Sequence, residues 1–226
     1  MKNILFSFDC YGTLIDWEDG IYNALKPVFK RHGIEVEREE ILKLYSQIEP
    51  ELEREYKPYK VVLKMAAERI FYAYGVNVAD EEKEVFVRSI YTWKPFNDVK
   101  EALVEIKRYG KIAIISNTDE DIIKASIENI GVHFDFVVTA EKVKAYKPSL
   151  KVFEFAYKMF GVDKSKWIHV GQSVFHDIIP AKKFGLKTVL IKRRGFGATP
   201  VVEESADFEF PDVRTFSEYV AKSEFI

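Results

Sequence analysis

The chain has one cysteine, Cys10, in 226 residues. No intramolecular disulfide can form, and such sparing use of cysteine fits a reducing compartment. Positive charge is not in excess either: 34 Lys and Arg face 36 Asp and Glu, for a net charge of −2. The basic footprint of a nucleic-acid binder is therefore missing. No apolar run nears the roughly 18 residues of a membrane span. After Lys2 and Asn3 the chain enters an apolar stretch that lacks the length and cleavage site of a signal peptide. These absences point to a soluble, cytoplasmic protein with no nucleic-acid or membrane partner. Glutamine is scarce as well, with two against 24 Glu and 25 Lys. Charged-rich, amide-poor usage fits a protein built for high temperature, hence thermostable. There is no internal repeat and no low-complexity segment.

What the chain does have is apolar material, 47% of residues with 15% aromatic. That suffices for one large domain, or a main domain with a smaller companion. The opening run Ile4-Leu5-Phe6-Ser7-Phe8 reads as a strand buried on both faces of a parallel sheet. It stops at Asp9, and Tyr11, Gly12 and Thr13 follow. Carboxyl ends of strands are where open α/β sheets bind ligands, so Asp9 is a candidate nucleophile or metal ligand. The alternative is an acid that merely caps a turn.

Residues 16–93 carry helical spacing throughout. Ile21, Leu25, Val28 and Phe29 mark a first helix, bent at Pro27 and ended by Gly33. Ile41, Leu42, Tyr45 and Ile48 mark a second, which should stop near Pro50. Val62, Met65, Ala66 and Ile70 mark a third, closed by Gly75. Asp80 is placed to cap a fourth, through Val85, Phe86, Ile90 and Trp93. Residues 94–98 read as a return linker, and beyond them helix alternates with strand. Strands are expected at 111–115, around 136–138, at 167–170 and at 186–191, with an edge strand at 207–210. Helices follow Asp98, run up to Gly131, follow Pro148, span 177–184 and close the chain near 215–221. The fold class is therefore α/β, a doubly wound parallel sheet (a Rossmann-like core) with an inserted helical subdomain. The expected division is 1–15 and 94–226 for the core and 16–93 for a four-helix insert. Gly195-Phe196-Gly197 has too few glycines for a dinucleotide fingerprint and reads as a surface loop.

If the sheet is parallel, polar groups at its strand ends converge on one edge: Asp9, Tyr11 and Thr13; Ser116, Asn117 and Thr118; Lys147; Gln172, Ser173 and Asp177. Asp9 can attack an electrophile and form an ester that water opens. Lys147 can hold it ionised and steady negative charge. Ser116 and Asn117 can donate to an anionic oxygen, and Thr13 can fix one Asp9 oxygen. Asp177 can orient Lys147, position water or ligate a cation. Each also has an ordinary reading as a turn, cap or surface residue.

Asp9-x-Tyr-Gly-Thr-Leu-x-Asp16, then Ser116-Asn117, Lys147-Pro148 and Gly171-x-Ser-x-x-x-Asp177, resemble the haloacid dehalogenase superfamily over about 170 residues. The resemblance implies Asp9 as nucleophile, Thr13 and Ser116 as its hydrogen-bonding supports, Lys147 as cation and Asp177 as final acid. Residues 16–93 would be the cap that closes over them. Phosphatases of the superfamily place a second Asp two residues after the nucleophile, to protonate an alkoxide. Here that residue is Tyr11, and a halide leaves unprotonated. The turn is similar to that of 2-haloacid dehalogenases, in which Cys10, Tyr11 and Ser116-Asn117 would line the site of the substrate carboxylate. Gln172 stands where phosphatases carry a metal-binding Asp, leaving Asp9 and Asp177 as side-chain carboxylates for Mg²⁺. The cap Arg of the dehalogenases falls at Ser46, with Arg38, Arg54 and Lys60 as substitutes. Their Tyr six residues after the Lys is Phe153, and their late Ser and Asn are Gln172 and Val174.

The expectation is thus a hydrolase acting through an aspartyl ester on a small anionic substrate, most like a 2-haloacid dehalogenase that requires no cofactor. A Mg²⁺-assisted phosphatase is the alternative, or a binding or regulatory protein that kept the fold without turnover. A homodimer would follow from an exposed apolar face on the cap.

Overall fold

The computed structural model describes residues 4–193 and 204–222. Its six strands are β1 (Leu5–Phe8), β2 (Lys111–Ser116), β3 (Phe136–Thr139), β4 (Trp167–Gly171), β5 (Lys187–Ile191) and β6 (Phe208–Phe210). They form one parallel sheet in the order β3-β2-β1-β4-β5-β6. All four residues of β1, Ser7 included, are buried, as a central strand covered on both faces requires. Successive side chains point to opposite faces. Phe6, Phe8, Ile112, Ile114, Ile168 and Val170 accordingly enter one apolar cluster, and Leu5, Ala113, Ile115 and Trp167 another.

Between β1 and β2 the chain runs through α1 (Trp17–Arg31), α2 (Arg38–Leu52), α3 (Tyr59–Ala73), α4 (Asp80–Lys83) and α5 (Val85–Ser89). Their buried residues, Leu25, Phe29, Ile41, Leu63 and Phe86 among them, join the first sheet cluster without a break. Helix α2 does not stop at Pro50 but continues to Leu52. Proline removes one donor, yet Ile48 and Leu52 stay buried and Glu53 N still reaches Glu49 O at 3.1 Å. The expected fourth helix is two short ones. Asp80 opens the first from inside, Ala79 holds the cap position, and Glu82 accepts from Ala79 N at 3.4 Å. Outgoing and returning chains lie side by side, Asp16 N donating to Lys94 O (2.9 Å) and Phe96 N to Leu14 O (3.0 Å).

The remaining helices are α6 (Val99–Ile106), α7 (Glu120–Ile130), α8 (Ala140–Val143), α9 (Leu150–Phe160), α10 (Ile179–Phe184) and α11 (Val213–Lys222). Helices α6, α7 and α11 bury their apolar sides in the first cluster, α9 and α10 in the second. The single turn of α8 was not expected; Thr139 caps it, accepting from Lys142 N at 3.2 Å. Asp98 precedes α6 as expected, but its carboxylate serves α11, accepting from Val213 N (2.9 Å) and Arg214 N (3.3 Å). The Gly195-Phe196-Gly197 loop lies outside the described residues. No helix among the described residues is long and apolar enough to cross a membrane.

Candidate active site

The connection from β3 to β4 carries the chain back across β1, so strand order reverses between β1 and β4. At such a point the loops on either side part, and a crevice opens at the carboxyl ends. Asp9 leaves β1 at this crevice, its N–H donating to Val170 O at 2.9 Å. Asp177 reaches it from beyond β4, and Ser116 ends β2. The predicted convergence is the observed one.

Lys147 is the centre of the group. It is 1% exposed, and its Nζ donates to Asp9 Oδ1 (2.8 Å), Asp177 Oδ1 (2.6 Å) and Ile115 O (2.9 Å). Those three bonds use all three ammonium protons. Burial opposes its charge, but Asp177 and Asp9 outweigh burial and hold the ammonium above its ordinary pKa. Burial likewise pushes Asp177 up, yet Lys147 and His169 prevail and keep that carboxyl well below the usual range. For Asp9 burial wins, raising the carboxyl against the pull of Lys147 and Thr13.

Each carboxylate has further support. Thr13 Oγ1 donates to Asp9 Oδ2 at 2.8 Å and accepts from Gln172 N at 2.9 Å. The Thr13 carbonyl is gripped by Arg193 Nη2 (2.9 Å), and Arg193 pairs with Asp98 (2.7 Å). Behind Asp177 a buried polar chain runs through the sheet. Trp167 Nε1 donates to Ser7 Oγ (2.7 Å), Ser7 pairs with His169 Nδ1 (2.8 Å), and His169 Nε2 meets Asp177 Oδ1 (3.2 Å). With Ser7 accepting from Trp167, its own proton goes to Nδ1, and Nε2–H faces the carboxylate.

A helix was expected over 177–184, with Asp177 at its start. Asp177 lies instead inside a π turn, Val174–Ile178, whose extra residue tucks the side chain beneath Gly171. A Cβ at 171 would stand 2.5 Å from the Asp177 Cβ and Cγ. Gly171→Ala should therefore displace Asp177, lowering kcat and costing about 1–3 kcal/mol of stability in denaturant titration. Unchanged kcat and stability would show that this contact does not hold Asp177 in place.

The cavity in front of Asp9 measures about 70 Å³, several times what one water needs. Asp9, Tyr11, Ser116, Asn117, Lys147 and Asp177 line it. Tyr11 is tied by its OH to Ser126 Oγ at 2.8 Å. Ser116 Oγ is buried with no partner among the described residues. Cys10 does not belong to the group: its side chain is fully buried in the core cluster and does not line the cavity. Arg38, Arg54 and Lys60 do not line it either. Arg38 pairs with Asp19 and Lys60 with Asp121.

Sequence reasoning missed Glu49 of α2 and Glu53 just after it, which bring two more acids to the cavity, along with Tyr45, Tyr59, Trp17, Trp93 and His176. A signal existed: Tyr45, Glu49 and Glu53 repeat every four residues, in phase with the buried face of the helix. Burial pulls His176 down to about 4, so it is neutral at pH 7.

Mg²⁺ needs near-octahedral oxygen ligands. Both Asp9 oxygens are engaged by Lys147 and Thr13, and Asp177 Oδ1 by Lys147 and His169. Only Asp177 Oδ2 is without a partner, and the ammonium fills the position between the two carboxylates. Among the described residues no group of three His, Cys, Asp or Glu is arranged to hold a metal. Asp9 and Asp177, the metal pair expected for a phosphatase, therefore leave one unpartnered carboxylate oxygen, Asp177 Oδ2, with the ammonium standing between them.

Comparison with known proteins matches residues 4–191 to the family described as haloacid dehalogenase-like hydrolase. The chain is 28% identical over 205 residues to (S)-2-haloacid dehalogenase of Pseudomonas sp. (strain YL), covering 86% of this chain and 87% of that one. It is also 28% identical over 201 residues to glyceraldehyde 3-phosphate phosphatase of Methanocaldococcus jannaschii, covering 80% and 84%. Among solved structures, L-2-haloacid dehalogenase from Xanthobacter autotrophicus superposes with a TM-score of 0.84 at 20% identity, over 97% of this chain and 99% of that one.

Proposed function

The chain belongs to the haloacid dehalogenase-like hydrolases, and we propose that it hydrolyses a small acid substrate through a covalent ester on Asp9, in the manner of a 2-haloacid dehalogenase. The observation that carries this reading is the Lys147 ammonium, fixed between Asp9 and Asp177 at 2.8 and 2.6 Å. In the first step Asp9 Oδ2 attacks the carbon bearing the halogen. The carbon–oxygen bond forms as the carbon–halogen bond breaks, and halide leaves with the bonding pair. Water then attacks the ester carbonyl, and the acyl–oxygen bond breaks. Asp9 returns as carboxylate, with release of the hydroxy acid and a proton.

The residues divide this work. Oδ1, which holds Lys147, becomes the carbonyl oxygen of the ester, so an N–H already faces the oxyanion that water attack creates. Thr13 orients the attacking oxygen. Asp177 Oδ2, buried and unpartnered, is the acceptor for the hydrolytic water. Ser116 Oγ is the free donor for the substrate's anionic group. Tyr11 supplies no carboxylic acid to a leaving group, which suits halide. Residues 16–93 act as the cap that shuts this cavity from solvent, and a reducing, cytoplasmic setting suits the unpaired Cys10.

The phosphatase relative favours a second reading, Mg²⁺-assisted release of phosphate. A panel of 2-haloacids and phosphate monoesters, run with Mg²⁺ and then with EDTA, separates the two. Halide release that EDTA leaves unchanged is the expected outcome. Phosphate release that vanishes with EDTA, without any halide release, would overturn the dehalogenase reading.

A further inference from the structure

The cavity holds more carboxyl groups than the proposed reaction uses. Asp9 and Asp177 share the Lys147 ammonium, but Glu49 and Glu53 line the same space and form no ion pair among the described residues. We propose that these two glutamates are a specificity-determining site that selects substrates bearing a protonated amine at the end away from Asp9. The inference rests on this cavity being the reaction site.

Three observations carry it. First, the pair is built into position. Glu49 Oε1 accepts from Tyr59 OH at 2.9 Å and Tyr45 OH at 3.5 Å, and Glu53 Oε2 accepts from Asn117 Nδ2 at 3.1 Å. Asn117 is itself fixed by Lys147 N, which donates to its Oδ1 at 2.7 Å. The cap acids are thereby tied to the loop that carries the Lys147 cation.

Second, polar atoms on both walls await a partner. Glu53 Oε1 is buried and unbonded on the cap side, and Ser116 Oγ, in a residue 2% exposed, is unbonded on the sheet side. Buried polar groups in native proteins are nearly always satisfied, so each marks a contact that a ligand completes. Ser116 can donate to an anionic group, whereas an ionised Glu53 can only accept.

Third, the charge is one-sided. Among the described residues Lys147 is the one cation lining the cavity, and its protons are spent. His176 is neutral, and Arg38, Arg54 and Lys60 lie elsewhere. Burial raises both glutamates, Glu49 to about 7, and a nearby carboxylate adds to the effect on each, against the hydrogen bonds of Tyr59 and Tyr45 on Glu49 and the pull of Asn117, Lys147 and Lys57 on Glu53. An ammonium between them relieves what raises them, while a second anion adds to it.

The test uses two unreactive acids of nearly equal shape, β-alanine and butanoate, which differ by ammonium against methyl. Their binding to the native chain is measured by calorimetry. β-Alanine should bind at least about tenfold more tightly, as expected of a charge-assisted contact. Glu49→Gln and Glu53→Gln should each cut that preference about tenfold while leaving butanoate affinity alone, whereas general loss of structure would weaken both ligands. Equal affinity, no binding of either acid, or a preference that survives in the double variant overturns the proposal. The reaction itself is read separately: if Asp9→Asn kept full turnover while the β-alanine preference held, the covalent mechanism would fall and the recognition site would stand.

Discussion

Asp9→Asn should lower turnover by at least about 10⁴-fold while leaving the fold intact. The amide has nearly the size of the carboxylate, and its oxygen can still accept from Lys147, so the buried cluster keeps its shape. Lys147 also retains Asp177 at 2.6 Å, and no buried ammonium is left without a counter-charge. Stability should therefore change by no more than about 1 kcal/mol, a shift of about 2–4 °C in Tm for a chain of this size. What is lost is nucleophilicity, because a neutral amide oxygen does not displace halide. A single turnover in ¹⁸O-labelled water gives the positive counterpart. Mass spectrometry of native protein should place the label in the Asp9 peptide, and none in that peptide of the variant. Label appearing only in the product would mean that water attacks the substrate directly, with Asp9 as its base.

The reason so much of this site could be read in advance lies in the sheet. Once strands alternate with helices, parallel pairing places every strand end on one edge. Asp9 and Lys147, 138 residues apart, must then be neighbours. Local pattern could not reveal residues whose role depends on what packs opposite. Glu49 and Glu53 look like solvated helix acids until Tyr45, Tyr59 and Asn117 close around them. Cys10 sits inside the motif that suggested it, but just past β1 its side chain joins the core cluster of Phe6 and Phe8, while Asp9 and Tyr11 reach the cavity. Pro50 read as a stop because proline breaks most helix interiors; the burial of Leu52 outweighs the one missing hydrogen bond. Arg193 sits just past β5, where loop residues are usually solvated. Only the folded chain brings it to the Thr13 carbonyl, 180 residues back.

Lys147→Met should be the most destabilising single change at the site, about 3–5 kcal/mol near pH 7, because it leaves two buried carboxylates facing each other without a cation. The pH dependence identifies the cause. In the native chain the depressed Asp177 carboxyl adds stability above its ordinary pKa of 3.8, which is lost as pH falls through the folded value. The raised Lys147 ammonium adds stability below its ordinary 10.5, which is lost as pH rises through the folded value. Between those limits the contributions of Asp177 and Lys147 are both complete, while Asp9, raised by burial, contributes with the opposite sign. In the variant the sign reverses for Asp177, and Asp9, already raised by burial, is raised further: with the ammonium gone, burial and mutual repulsion act on both carboxyls without its pull, so the folded state binds protons more readily than the unfolded chain. Acidification then stabilises the variant relative to the native protein. Denaturant titrations should give a smaller difference at about pH 5 than at about pH 8. A difference that stayed constant over that range would trace the loss to a packing defect around residue 147, with the charge cluster contributing nothing to it.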